Sequence, residues 1–317
     1  MTRIGYFLPT EEHGPKDLVR HAQLAEDAGF EALWISDHYH PWNEAQGHSP
    51  FVWSVIGAIS AVCRLPITTA VTCPTVRIHP AVVAQAAATA AVQTDGQFCL
   101  GVGTGEALNE HILGDPWPNA DRRLEMLEES VDVMRKLWTG KNVNHDGEHY
   151  TVENARIYTC PEQPPPVQVS AFGPRAARLA GRIGDGLITM SGDSKIIDTF
   201  RAAGGEGKPT ATGHKVCYGT DRADAVRAAH RLWGNQLLPG ELGQVLPQPR
   251  HFEQASQLVT EQMVADAMVC GNDVEQHVAA LRKAQDAGFD EAYVSQMGGG
   301  LEEFFEFYAE KVLPKLR

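Results

Sequence analysis

The sequence predicts an α/β protein built as a (β/α)8 TIM barrel, and three observations predict it. Eight short apolar runs alternate with amphipathic stretches along the 317 residues. The runs are nearly continuous in apolar residues, as in parallel strands covered on both faces, rather than alternating as half-exposed strands do. The stretches richest in His, Glu, Asn and Gly directly follow the runs, at the strand ends where barrels of this kind carry their chemistry.

The elements follow in order. The first strand is "RIGYFL" (3–8), and the helix after it, "PKDLVRHAQLAEDAGF" (15–30), opens on Pro15 and stops at Gly29. Pro just inside the start and Gly at the end are the expected helix punctuation. "EALWISDH" (31–38) is the second strand, and "PITTAVTC" (66–73) the third, followed by the helix "PAVVAQAAATAAV" (80–92). "QFCLGVGTG" (97–105) is the fourth, with the helix "DRRLEMLEESVDVMRKLW" (121–138) behind it. "PVQVSAFG" (166–173), "DGLITMSG" (185–192) and "HKVCYGTD" (214–221) continue the series. The helix "DVEQHVAALRKAQDAGF" (273–289) leads into the eighth strand, "EAYVSQMG" (291–298). Two excursions, 139–165 and 237–259, are read as insertions in one barrel domain spanning 1–317, because neither is low-complexity.

Charge and cysteine usage bound the partners. A net charge of −13 disfavours nucleic acid and anionic membranes. No apolar run approaches the ~18 residues that a membrane helix needs. The start, "MTRIGYFLPT", enters a strand without a signal-peptide core. Cys63, Cys73, Cys99, Cys160, Cys217 and Cys270 form no C-x-x-C pair and are read as free thiols, which suits the cytoplasm. The expected partner is a small-molecule substrate.

Three constellations carry chemistry. In "SDHYHPWNEAQGHSPFVW" (36–53), His38 and His40 form an H-x-H, a possible start of a metal site. The later strand ends "SAFGP", "TMSGD" and "SQMGGG" contain no further His, so no metal is expected. The same stretch admits a proton-transfer reading, with Asp37 and His38 pointing to opposite sides and His38 either a base or a hydrogen-bonded rim residue. His40 and His48 are read as loop residues. In "GVGTGEALNE" (101–110), alternating Gly101, Gly103 and Gly105 let backbone approach a flat ligand, and Glu106 is either a functional carboxyl or a helix-entry charge. In "SAFGPRAAR" (170–178), Gly173 and Pro174 open a helix whose free N–H groups suit an anion, though an ordinary helix start reads the same way.

Together, "SDHYHPW" (36–42), "CPTVRIHPAVVAQAAAT" (73–89), "GVGTGEALNE" (101–110) and "RRLEMLEESVDVMRKLWTG" (122–140) resemble the deazaflavin branch of the luciferase-like superfamily. "GDGLITMSG" (184–192) and "FFEFYAEKVLP" (304–314) extend the likeness over nearly the whole chain. The specific similarity is to the family of coenzyme F420-dependent glucose-6-phosphate dehydrogenase. The resemblance implies a homodimer binding coenzyme F420 at the strand C-termini. It puts Asp37, Cys73, Thr104, Gly105 and Asn109 around the cofactor, a non-proline cis peptide at Ala70–Val71 behind the ring, and Ala171, Phe172 and Gly173 towards its phosphate. It implies His38 as base, Trp42 as aromatic lid, Glu106 as proton partner of the reduced ring and Glu11 as a further pocket carboxylate. A protonated Glu106 would require burial.

The chain departs from that pattern where the family grips phosphate with lysines: Asp193 and Asp266 stand there, with Lys195 two residues beyond the first. Two buried acids would repel a phosphate dianion. The expected substrate is therefore a non-phosphorylated alcohol or sugar, or a ketone or aldehyde in reverse. The alternatives are a flavin mononucleotide-dependent luciferase-like monooxygenase, glucose-6-phosphate dehydrogenase proper, and a cofactor-binding protein without turnover.

Overall fold

A computed structural model describes residues 2–317. Its strands, in chain order, are β1 (Arg3–Leu8), β2 (Leu33–Ile35), β3 (Ile67–Thr69), β4 (Phe98–Val102), β5 (Val143–Asp146), β6 (Thr151–Ala155), β7 (Val167–Ser170), β8 (Gly186–Thr189), β9 (Thr210–Cys217), β10 (Val269–Cys270) and β11 (Glu291–Gln296). The parallel neighbours run β11-β1-β2-β3-β4-β7-β8, and β9 pairs with both β8 and β11, which closes an eight-stranded barrel. The two-residue β10 adds to the far end of β9. All eight strands expected from the sequence are present.

The seventh barrel strand starts at Thr210, four residues before its apolar run. Thr210 and Thr212 are fully buried but polar, and Ala211 and Gly213 are small, so the strand's first half carries no hydrophobic signature. The barrel interior explains the choice. Trp34 stacks on Tyr293 at 4.2 Å between ring centroids and 11° between planes, with Phe7 edge-on. A Cβ on Gly213 would come within 3.0 Å of the Trp34 ring, and one on Gly5 would overlap Tyr293. Two large rings fill the bore because their neighbours are small. Trp34 is thus an interior packing residue.

The surrounding helices bury one face each. In Pro15–Ala28, Leu18, His21, Ala22 and Ala25 face the barrel, and Gly29 closes the helix at φ 88°, a left-handed position. Burying each Leu-sized side chain contributes about 1.5–3 kcal/mol. Among the described residues no helix is long and apolar enough to cross a membrane.

Both insertions have structure of their own. The first carries the antiparallel β5–β6 hairpin, tied down by Glu129, which accepts from the amides of His149 and Tyr150 at 3.0 Å each. The second carries the short helices Leu242–Val245 and Pro249–Ser256. Its Phe252 is fully buried edge-on against Trp42, 5.1 Å between centroids, so this insertion closes over the β2 end of the barrel.

Candidate active site

The loop after β2 is held at several points. Asn43 Nδ2 and Gln46 Nε2 donate to the Leu232 carbonyl at 2.9 and 2.8 Å, Gln46 Oε1 accepts from the Trp42 amide at 2.8 Å, and Ser49 Oγ donates to the His38 carbonyl at 2.7 Å. Its two histidines diverge. His40 Nδ1 lies 2.9 Å from the Leu108 carbonyl, while His38 Nε2 lies 3.5 Å from Glu11 Oε1. Among the described residues no three His, Cys, Asp or Glu side chains gather as a metal site.

Glu11, in the loop after β1, is the hub of one half of the mouth. Its Oε2 accepts from Ser36 Oγ at 2.6 Å and its Oε1 from Trp42 Nε1 at 3.2 Å. Trp42 lies 5.0 Å from the His38 ring, centroid to centroid. Burial pushes the Glu11 carboxyl up, but His38, Lys215 and the Ser36 hydroxyl outweigh it and hold it below the ordinary carboxylate range. His38 Nδ1 is 3.1 Å from both the His40 carbonyl oxygen and Asn109 Nδ2. Asn109 Oδ1 in turn accepts from the amides of Tyr39 and His40 at 2.9 and 3.1 Å, which fixes which way its amide points.

Asp37 and His38 do turn to opposite sides, although the strand has ended at Ile35. Asp37 reaches towards β3, where its Oδ2 accepts from Thr72 Oγ1 at 2.8 Å and its Oδ1 from Arg77 Nη2 at 2.9 Å. Arg77 also meets Glu110, whose Oε2 accepts from the Arg77 amide at 2.7 Å. One guanidinium therefore ties the loops after β2 and β4 to the loop after β3. Burial pushes the Glu110 carboxyl up to about 7 against the pull of Arg77.

The remaining residues singled out in the sequence fall as follows. Ala70 and Val71, both half-buried, are joined by a cis peptide bond. Cys73 is buried, and burial holds its thiol well above its ordinary range. Thr104 is half-buried and Gly105 adopts φ 82°. A Cβ on Gly105 would lie 2.8 Å from Glu110 Cγ, and one on Gly103 2.7 Å from Val71 Cγ2. Ala171 is buried, Phe172 is exposed, and Gly173 caps the helix Pro174–Ile183 with open space where a side chain would stand. Glu106 is only half-buried at the head of a four-residue helix. The deeply buried carboxyl of this segment is Glu110, one helical turn on, so the burial expected for Glu106 falls on its neighbour.

Asp193 and Asp266 are exposed, so the burial on which their repulsion of a phosphate depended is not met. Asp193 Oδ1 caps its helix by accepting from the Lys195 amide at 3.0 Å, and Asp266 Oδ1 accepts from Gln262 Nε2 at 2.7 Å. Lys195 is exposed as well.

Sequence reading passed over Lys215, Arg77, Glu110 and Glu12. A Lys inside the apolar run "HKVCYG" was a usable signal, because Lys is rarely buried without a partner. The other three have no local signature, since their roles depend on loops far apart in the chain.

A closed parallel barrel with a His–Glu pair and a glycine turn at its mouth has the architecture of a barrel oxidoreductase. The chain belongs to the luciferase-like monooxygenase family, whose model matches residues 2–291, and to its F420-dependent glucose-6-phosphate dehydrogenase branch. It is 37% identical to the F420-dependent glucose-6-phosphate dehydrogenase of Nakamurella multipartita, over 99% of this chain and 96% of that one. The enzyme of the same description from Beutenbergia cavernae is 36% identical over 100% and 98%. Among solved structures, an F420-dependent secondary alcohol dehydrogenase in complex with an F420–acetone adduct superposes with a TM-score of 0.92 at 30% identity, covering 100% of this chain and 99% of that one.

Proposed function

We propose that this protein is a coenzyme F420-dependent dehydrogenase that moves a hydride between the cofactor and the carbinol or carbonyl carbon of a small, non-phosphorylated alcohol or sugar. The observation that carries the reading is the His38–Glu11 pair, 3.5 Å apart beneath Trp42. The residues present fit a planar deazaflavin. The β4 turn carries no side chain of its own at Gly103 or Gly105, where Val71 and Cys73 pack close to its backbone, and the open N-terminus at Gly173 suits an anionic tail. Cys73, Thr104, Ala171 and Phe172 border the same space on this reading, while Asp37 and Asn109 shape it through Arg77 and the 38–40 loop.

When bound, the deazaflavin supplies a two-electron hydride acceptor. The chain's own residues handle the protons. A neutral His38 whose Nδ1–H points to the His40 carbonyl leaves Nε2 free to accept the carbinol proton, and in that tautomer Asn109 Nδ2 abuts Nδ1 without a hydrogen bond to it. The Glu11 carboxylate then stabilises the imidazolium. Trp42 covers the reactant, and Glu106 is the second proton-handling carboxyl. Two arginines near the mouth are already engaged, which favours a substrate without phosphate. Arg77 serves Asp37 and Glu110, and Arg123 serves Gln244, the Pro118 carbonyl and the Trp117 ring.

On the same footing we assign the chain to the cytoplasm, in keeping with six free cysteines, and to a homodimer formed through the apolar groove described in the Discussion. The test is a panel of neutral alcohols, sugars and sugar phosphates with oxidised F420, read by ring absorbance. A neutral alcohol should be the best substrate; equal turnover of glucose 6-phosphate sinks the substrate class, and tighter binding of flavin mononucleotide than of F420 sinks the cofactor. His38→Ala should keep F420 binding, followed by Trp fluorescence, and lose at least ~100-fold in kcat.

A further inference from the structure

Arg77 lies in the loop after β3, and its side chain is only 6% exposed. The loop is itself firmly held. The Thr72 amide donates to the Gly101 carbonyl at 2.9 Å and the Gly103 amide to the Thr72 carbonyl at 3.1 Å. The Tyr150 hydroxyl, from the β5–β6 turn, donates to the Thr75 carbonyl at 2.9 Å. From this base the guanidinium reaches in two directions. Its Nη2 donates to Asp37 Oδ1 at 2.9 Å, and its Nε lies 3.5 Å from Glu110 Oε1, while the Arg77 amide donates to Glu110 Oε2 at 2.7 Å. Both carboxyls are buried, and among the described residues neither pairs with another cation.

The neighbours of the two carboxyls in the chain give the clamp its meaning. Asp37 precedes His38. Glu110 follows Asn109, whose Nδ2 lies 3.1 Å from His38 Nδ1 and whose Oδ1 accepts from the amides of Tyr39 and His40. Arg77 thus grips the outer residue on each side of a pair whose inner residues touch. We propose that Arg77 is a positioning residue that sets the His38 imidazole against Asn109 and Glu11 by holding the loops after β2 and β4 in register. This rests on the reading of His38 as the base. Residue 37 is pinned on one side of His38 and residues 39 and 40 on the other, so the ring between them keeps one setting.

The remaining contacts do not supply this register. Thr72 Oγ1 donates to Asp37 Oδ2 at 2.8 Å, which ties the β2 loop to the β3 loop but leaves the β4 side untouched. Asn109 ties the helix Ala107–Glu110 to the β2 loop but not to the β3 loop. Among the hydrogen bonds of the described residues, those of Glu110 with Arg77 are the link from that helix to the loop after β3. Charge alone does not replace the guanidinium. Its planar fork directs separate N–H groups to separate carboxyls, whereas a lysine ammonium is a single point on a flexible stem.

The experiment has two arms, both on the full-length protein. The first needs no turnover: NMR with 13C-labelled histidine, the His38 ring signals assigned by their loss in His38→Asn. In Arg77→Met those signals should shift or broaden, as in Asn109→Ala, while those of His277, packed against Tyr308 on the outer helix Val274–Asp286, stay in place. The second arm is kcat at saturating cofactor and reactant. Arg77→Met should lose about 10- to 100-fold with KM changing less than about threefold, and Arg77→Lys should fall between it and the wild type. Both substitutions act through one imidazole, so Arg77→Met combined with Asn109→Ala should lose no more than the worse single variant. If Arg77→Met does not fold, Arg77→Lys carries the same expectations at smaller size. Unmoved His38 signals in the variant overturn the proposal, as do losses that multiply in the double variant. A lower melting temperature with kcat intact also overturns it, and that is what a merely structural brace predicts. Persistent activity in His38→Ala overturns the base assignment instead, while the register of the ring is judged on the NMR signals alone.

Discussion

Asn109 commits its whole side-chain amide to the loop that carries His38. Its Oδ1 takes two backbone amides, those of Tyr39 and His40, and its Nδ2 meets the imidazole. Asn109→Ala leaves those amides without their partner at a cost of about 1–3 kcal/mol. It also frees the ring to turn, and misplacement of a catalytic group by an ångström costs up to ~100-fold in rate. Steady-state kinetics should show kcat falling about 10- to 100-fold, with KM changing far less. At this scale the sequence was legible in part. His38 stood out by its chemistry at the end of a strand, whereas Glu11 and Trp42 were singled out only through the family resemblance. Glu110 did not, because nothing in "GTGEALNE" says which of its two glutamates turns inward; Arg77, supplied by another loop, decides that.

The glycine turn after β4 is the element that most narrowly fits its place. Gly105 combines a left-handed backbone with a clearance of 2.8 Å between a built Cβ and Glu110 Cγ. Gly105→Ala therefore meets both a conformational penalty and a clash, and should lose about 1–3 kcal/mol of stability in urea unfolding. A loss below a few tenths would mean that the turn relaxes freely. The alternation of Gly101, Gly103 and Gly105 was visible in the sequence. The surfaces they approach were not, since Thr69, Val71 and Cys73 come from another segment of the chain. Likewise the β5–β6 hairpin went unseen in 139–165, because "NHDGEHYTVENA" offers turn residues and few apolar ones, and Glu129 from a preceding helix fixes it.

Across the whole molecule, two features govern behaviour in solution. His13 and His21 stack edge-on at 4.6 Å, and burial drives both down to about 4 from an unfolded value near 6.5. The unfolded chain therefore binds more protons between those values. The stability linked to the pair is fully present above about pH 6.5 and lost as pH falls towards 4. The melting temperature should drop between pH 7 and 5, and His21→Gln should flatten that slope; an unchanged slope removes the pair as its source. The second feature is an apolar groove of about 280 Å³ between the helices Val52–Ser60 and Pro80–Gln93, bordered by Phe51, Trp53, Ile78, Val82 and Ala86. Phe51 and Val82 are more than half exposed there, 55% and 57%, which a solvated face rarely sustains side by side. Small alanines on the second helix allow another copy to approach closely. On the proposed homodimer reading the protein sediments as a dimer and Val82→Glu as a monomer; a monomeric parent protein sinks that reading, and a variant that stays dimeric places the interface elsewhere.

The sequence by itself determined the barrel, the order of its eight strands and the ends at which chemistry collects. Those follow from hydrophobic period and from Gly and Pro punctuation, which are local properties of the chain. It also offered His38, just past a strand, as a proton-transfer candidate, and through the family resemblance Glu11 beside it. Only the tertiary structure decided how the polar groups pair: that Arg77 joins Asp37 to Glu110, that Asp193 and Asp266 stand in solvent, and that the Trp233 indole donates to Glu12. Proton affinity depends on distance and on burial, and residues two hundred positions apart acquire both only when the barrel closes.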